Sequence, residues 1–326
     1  MRARRRIAAC LVVGLVGALL IEPAGAWNER GHMLVAFIAF RHLDPDVKTE
    51  VGRLLRLNPQ FKTWVQNLPP SATEERRTET AFVRASRWPD DIKGFSKYID
   101  DGDQGGNVPP PGPTAAQNIG YADLNRHKYW HFKNVPFTDD GTKTHEPPLV
   151  NAQSEIELMR TALASSATSD DIKSYDLVWL IHLVGDVHQP LHAVARFTKP
   201  LPDGDKGGNL QKLENCAQWL GCQANLHAQW DRMLGVNMTS SSVSSTGVAL
   251  DTKLDPPGST STDVNEWIAE SVALAKDEAY RTSADTRLPS PKAFLTLAYV
   301  ERARLSAQTR AVLAGRRLAK LLNDAL

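Results

Sequence analysis

Histidine and aspartate recur at one spacing in this chain. His182 and Asp186 lie four residues apart in HLVGDVHQPLH, and His227 and Asp231 repeat the interval in NLHAQWD. On a helix that interval puts both side chains on one face, with Cβ atoms about 5–6 Å apart. An imidazole nitrogen and a carboxylate oxygen so placed can reach one cation. A single HxxxD is ordinarily a buried hydrogen bond or a surface pair, so the reading depends on what accompanies it. His131 lies among aromatics in HKYWHFKNVPF, Asp90 follows Trp88 and Pro89 in RWPDDIK, and His32 stands in WNERGH. Each alone has a plain structural reading, as a satisfied core histidine or a capping aspartate. Taken together they would require many buried polar groups to be paired off by coincidence, at about 1–3 kcal/mol for each one left unpaired. Imidazole and carboxylate without thiolate suit zinc.

More than one ion is expected. Pro190 lacks an N–H and its ring opposes the carbonyl four residues back, so the helix carrying His182 and Asp186 should kink or stop near it. His192 then projects elsewhere and fits a neighbouring ion better. His188 has no partner at a telling distance and reads as structural.

The elements that must position these groups read as helices. Apolar residues recur at helical spacing over 29–43. Asp44-Pro45 supplies an N-cap with Pro at the first helical position. Residues 151–166 and 170–188 predict two more helices, and Ser290-Pro291 is expected to open a last one over 291–325. No alternating strand-like series and no repeat is found, so the expected fold is all-α. Residues 99–120 and 237–263, rich in Gly, Pro and Ser, read as long surface loops.

MRARRR, an apolar run and Ala24-Gly25-Ala26 read as a secretory signal peptide over residues 1–26. The mature protein is then expected to begin at Trp27, to form a single helical domain over 27–326, and to be exported to a periplasmic or extracellular location. Removing the leader takes away four arginines and one glutamate, turning a formal charge of +1 slightly negative. Nucleic-acid binding by a broadly basic surface is therefore excluded; an anionic substrate would need localised positive charge. In an exported chain Cys216 and Cys222 default to a disulfide. Asn237-Met238-Thr239 is a glycosylation sequon, meaningful only in a host that glycosylates.

WNERGH, WPDDIK, WHFKNVPF, HLVGDVHQPLH, DKGGN and NLHAQWD occur in one order. This series resembles the zinc-dependent single-strand-specific nucleases (3′-nucleotidases), relatives of bacterial zinc phospholipase C, over nearly the whole mature chain. The resemblance implies a mainly helical fold and three Zn2+ ions. One ion would take Asp90, His131, His182 and Asp186, and a second His192, His227 and Asp231. The third would take the α-amine and carbonyl of Trp27 together with His32 and a shared Asp186.

The implied reaction is hydrolysis of single-stranded DNA or RNA to 5′-phosphorylated products, with a bridging hydroxide as nucleophile and Asp90 orienting its parent water. Lys93, three residues after Asp90, is either a phosphate contact or a solvated lysine. Phe132 matches a base-stacking position and Asn134 one that contacts the base, where some relatives carry an aspartate. Asn209 is a phosphate or backbone contact, or a turn residue. Two rivals stand beside this reading. A phospholipase C typically carries glutamate where Asp231 stands, and a non-catalytic zinc-binding protein would show no chelator-sensitive activity.

Overall fold

The stretch DLVWLIHLVGDVH lies on the helix Asp170–His188, in which every residue from Ser174 to His188 is buried. It is buried because other helices pack around it: Glu29–Arg41, Pro45–Leu55, Glu74–Ala85, Ala152–Ala164, Val264–Leu274 and Leu297–Ala325. The computed structural model describes residues 27–214, 222–283 and 286–326. The expected leader (1–26) and Cys216 lie outside the described residues. The fold is mainly helical, as expected, and one main hydrophobic core draws on both ends of the chain. Among the described residues no helix is long and apolar enough to cross a membrane.

The central helix stops where Pro190 requires it to. Gln189 has extended backbone angles, and a four-residue helix, Pro190–Ala193, starts afresh and carries His192. The strand Val194–Phe197 follows and pairs in parallel with Val135–Thr138, Val194 opposite Val135. This short ladder places the segment after His131 beside the segment after His192. It is one of three two-stranded pairs among the described residues, each too short to leave an alternating pattern in the sequence.

His188, at the end of the central helix, is locked into structure. Its Nδ1 donates to the Val184 carbonyl at 2.7 Å and its Nε2 accepts from Arg317 at 3.0 Å. Arg317 and Arg310 both bond Glu270, and Arg310 also donates to the His188 carbonyl at 3.2 Å. Cationic donors thus meet the carbonyl end of the helix, where its dipole favours them.

Two expectations are corrected. Residues Ser240–Lys253, expected within a loop, form a helix capped by Thr239, whose hydroxyl accepts from the Ser242 amide. Val243, Gly247 and Leu250 bury one stripe of it, and a Cβ at Gly247 would come within 2.4 Å of Phe37. The serines that suggested a loop, Ser240, Ser241, Ser242, Ser244 and Ser245, lie on this helix's outer surface. Likewise Ser290-Pro291 opens no helix. Lys292–Ala293 pairs with Lys212–Leu213, and the C-terminal helix begins at Leu297, where Thr296 caps the Tyr299 amide.

Glu155 and Asp176 are buried carboxyls, each with one oxygen lacking a hydrogen-bond partner. Burial pushes both up to about 7, whereas unfolded carboxyls titrate near 4. Between those values the native state holds more protons than the unfolded chain, so stability falls as pH rises from about 4 to about 7. Asp176→Asn, which can still accept from Asn118 (2.9 Å in the native chain), is expected to flatten that decline. Thermal unfolding at intervals across the window checks it.

Candidate metal centre

Each metal-competent side chain reaches the centre from a different element. His32 lies in the first turn of Glu29–Arg41, whose cap Asn28 accepts from the Gly31 amide. Asp90 comes from the short helix Trp88–Asp91 and His131 from the 3-10 turn Lys128–His131. His182 and Asp186 project from the central helix, His192 from Pro190–Ala193, and His227 and Asp231 from Leu226–Asp231.

These side chains form three groups, in each of which the ligand atoms lie within 4.8 Å of one another: His32, Asp90 and His182; His131, His182 and Asp186; His192, His227 and Asp231. Asp186 divides its oxygens between partners. Oδ1 lies 3.3 Å from His32 Nε2, while Oδ2 lies 3.0 Å from His131 Nδ1 and 3.3 Å from His182 Nε2. The His32 and His182 rings stack at 3.9 Å. Gly185 permits this approach, since a Cβ there would stand 3.0 Å from His32 Nδ1.

The hydrogen bonds fix tautomers suited to a cation. A carbonyl only accepts, so the Nδ1 atoms of His182, His192 and His227 carry protons for Ser86 (2.7 Å), His131 (2.6 Å) and Gly207 (2.7 Å). In the neutral rings the Nε2 atoms are then lone pairs. His192 Nε2 and His227 Nε2 face each other at 3.0 Å, a repulsive contact that a shared cation converts into coordination. Metal-bound histidines are held by their second nitrogen in this same way. Among the described residues, both ring nitrogens of His32, His131 Nε2 and Asp186 Oδ1 are buried without a hydrogen-bond partner. The donor set therefore fits a divalent metal such as zinc, and Asp186 Oδ1 with one His32 nitrogen are orphaned atoms such an ion would satisfy.

The model of the S1/P1 Nuclease family matches residues 27–326. The chain belongs to the S1/P1 nuclease family. It is 27% identical over 226 residues to Endonuclease 3 of Arabidopsis thaliana, covering 68% of this chain and 58% of that protein. To Endonuclease 4 of the same plant it is 25% identical over 225 residues, covering 68% and 59%. The chain thus spans under three fifths of either relative's length.

Electrostatics in this S1/P1-family centre split the ligands: three imidazoles and Asp90 are held in ligating forms, while His182, Asp186 and Asp231 are pushed toward their protonated forms. Burial holds His32, His131 and His192 well below the ordinary imidazole range, helped by His182, Lys93 and His227 respectively. Burial opposes the charge on His182, but Asp186 and Asp90 outweigh it and raise its pKa. Burial pushes Asp186 up to about 6 and Asp231 well above the usual carboxylate range. A nearby dication reverses that penalty. Asp90 differs: burial raises it, but Lys93 and the surrounding imidazoles hold it well below that range.

Lys93 is no solvated lysine. Its ammonium lies 2.6 Å from Asp90 Oδ1 and its side chain is 9% exposed. Trp27 is fully buried, and the next amide, of Asn28, donates to the Asp231 carbonyl at 3.1 Å. Phe132 is half-buried against the core, and Asn134 takes a left-handed backbone, φ 58°. Asn209 donates its side-chain amide to the Lys206 carbonyl at 2.8 Å, across its own turn.

Sequence reasoning missed the residues that aim the ligands. Gln189 is buried, donates to Asp231 Oδ1 at 2.8 Å and accepts from the Leu191 amide at 2.6 Å. An amide beside the helix-breaking proline was its available signal. Ser86 and Gly207 act through carbonyls, which every residue carries.

Proposed function

We propose that residues 27–326 form a single exported catalytic domain, a zinc-dependent phosphodiesterase that cleaves single-stranded DNA and RNA to 5′-phosphorylated products. Three zinc ions are held by the ligand sets that the motif resemblance implies, including the Trp27 amine. The observation that carries the reading is the divided carboxylate of Asp186, whose two oxygens face His32 and the His131–His182 pair. That is the disposition of a bridging ligand. Membership of the S1/P1 nuclease family, with the match beginning at Trp27, supports it.

When bound, zinc supplies Lewis acidity, polarising a phosphoryl oxygen and making water a nucleophile near neutral pH. The chain's own residues do the rest. Asp90, ionised beside Lys93, accepts a proton from the attacking water or orients it. Lys93 offsets charge developing on the phosphoryl oxygens. Phe132 offers a ring face for a base, a contact tolerant of base identity, and Asn134 both donates and accepts toward base edges. Asn209 borders the site from the Gly207-containing turn. A slightly acidic chain holds a phosphodiester through this local charge and needs no basic surface.

The test is a panel of single-stranded DNA, RNA, duplex DNA, a 3′-nucleotide and phosphatidylcholine, each with and without EDTA. Chelator-sensitive cleavage of the single strands, with 5′-phosphate ends, is expected. Turnover of lipid alone would replace this reading with a phospholipase C. Bound metal with no turnover of any substrate would replace it with a zinc-binding protein.

A further inference from the structure

A cleft of about 610 Å3 lies away from the ligand groups, between the strand Val135–Thr138 and the helix Val264–Leu274. That volume falls in the range of about 300–1,000 Å3 typical of small-ligand sites. Val135, Ile268 and Val272 give it an aliphatic floor, and Lys133, Lys276 and Arg287 stand around its walls. We infer that this cleft is a subsite for a second nucleotide of the substrate strand, its phosphate held by Lys133 and Lys276 and its base laid on the aliphatic floor.

Charge is the first argument. Neither Lys133 nor Lys276 has a carboxylate partner among the described residues, whereas Arg287 is 2.9 Å from Asp139. Asp277, the one carboxylate among the described lining residues, lies 4.0 Å from Arg281. The cleft therefore holds two uncommitted ammonium groups. Lys133 is half-buried, with no carboxylate beside it among the described residues. Lys276 stands above the Phe137 ring, 5.5 Å from its centroid.

Placement is the second argument. Lys133 is two residues beyond His131, at most about 7 Å along the backbone, and its amide donates to the His192 carbonyl at 2.8 Å. A strand with one phosphate among the ligand groups can run past Phe132 and present its neighbour to Lys133. Among the described residues, none of the large exposed hydrophobics lines the cleft. The inference rests on the nuclease reading above and names how that site holds a longer strand.

Binding of a short labelled oligothymidylate to chelator-treated protein, followed by fluorescence anisotropy against salt, tests it without metal or turnover. Each phosphate neutralised contributes about 0.7 to the slope of log affinity against log salt for a single strand. Because the two lysines share one phosphate, Lys133→Ala/Lys276→Ala is expected to lower that slope by about 0.7 and weaken binding about tenfold. The Lys133→Arg/Lys276→Arg variant should restore both, which a folding defect would not predict. With zinc present, the alanine variant should lose more kcat/KM on the oligonucleotide than on a dinucleotide. An unchanged slope in a protein that still cleaves single strands would overturn the subsite and leave the nuclease reading standing. A wild-type protein that neither binds nor cleaves single strands, or that uses these lysines only on phosphatidylcholine vesicles, would overturn both.

Discussion

Asp186→Asn is expected to remove at least about 100-fold of single-strand cleavage and to lower zinc content, while leaving the chelated protein as stable as the wild type or more so. The size follows from position. Changing residues that merely orient a metal ligand costs about 10–100-fold in affinity or activity, and Asp186 touches both the His32 side and the His131–His182 side of the centre. The amide keeps the shape but loses the charge, and one of its two ends can only donate. Stability should move the other way because Asp186 is fully buried with Oδ1 unpartnered, and burial, helped by Asp90, pushes it up to about 6. In the chelated protein above that pH, the wild type must either bury a carboxylate or take up a proton, and the amide does neither. Metal analysis, initial rates on single-stranded DNA and thermal unfolding in chelator at pH 7.5 together check this. Full zinc content and full activity in the variant would refute the bridging role.

The sequence exposed this site more completely than the fold around it, for a physical reason. Ligation needs particular side chains, so the eight side-chain candidates are visible as residue types, and the i,i+4 pairs carry their own geometry on a helix. The central helix was equally legible, because Pro190 marks its end and the apolar residues around His182 and Asp186 mark its burial. The helix Ser240–Lys253 was hidden because its apolar stripe is thin and includes Gly247, whose role is to let Phe37 approach. The start of the last helix was misplaced because Ser290-Pro291 resembles a helix opening, while the cap is Thr296. Least legible were the carbonyls of Ser86, His131 and Gly207, which set three imidazole tautomers. A backbone carbonyl has no residue type, and only the tertiary fold shows where it points. The Lys93–Asp90 pair belongs to the same class, since its burial comes from what packs over it.

Adding one residue before Trp27 is expected to be as damaging as losing Asp186, although no side chain changes. The α-amine has a pKa near 8, so a fraction is neutral at pH 7 and able to bind metal. An added residue turns that nitrogen into an amide, which donates but offers no lone pair of comparable basicity. The site also leaves little room for rearrangement. Trp27 is fully buried, Asn28 is fixed by its amide to the Asp231 carbonyl (3.1 Å) and by its side chain to the Gly235 carbonyl (2.7 Å), and His32 lies one helical turn on. The chain cannot slide by one residue without breaking these bonds. Protein beginning at Met-Trp27 is therefore expected to bind about two zinc ions where protein beginning at Trp27 binds about three, and to lose about 100-fold or more in activity. Retention of the other two equivalents is the informative part. The His192–His227–Asp231 group makes no use of the amine, so its occupancy reports an intact fold, and a general folding failure would empty it as well. Equal zinc content and equal rates for the two proteins would show that the Trp27 nitrogen is not a ligand, and the third ion would then have to be held by His32 and Asp186 alone.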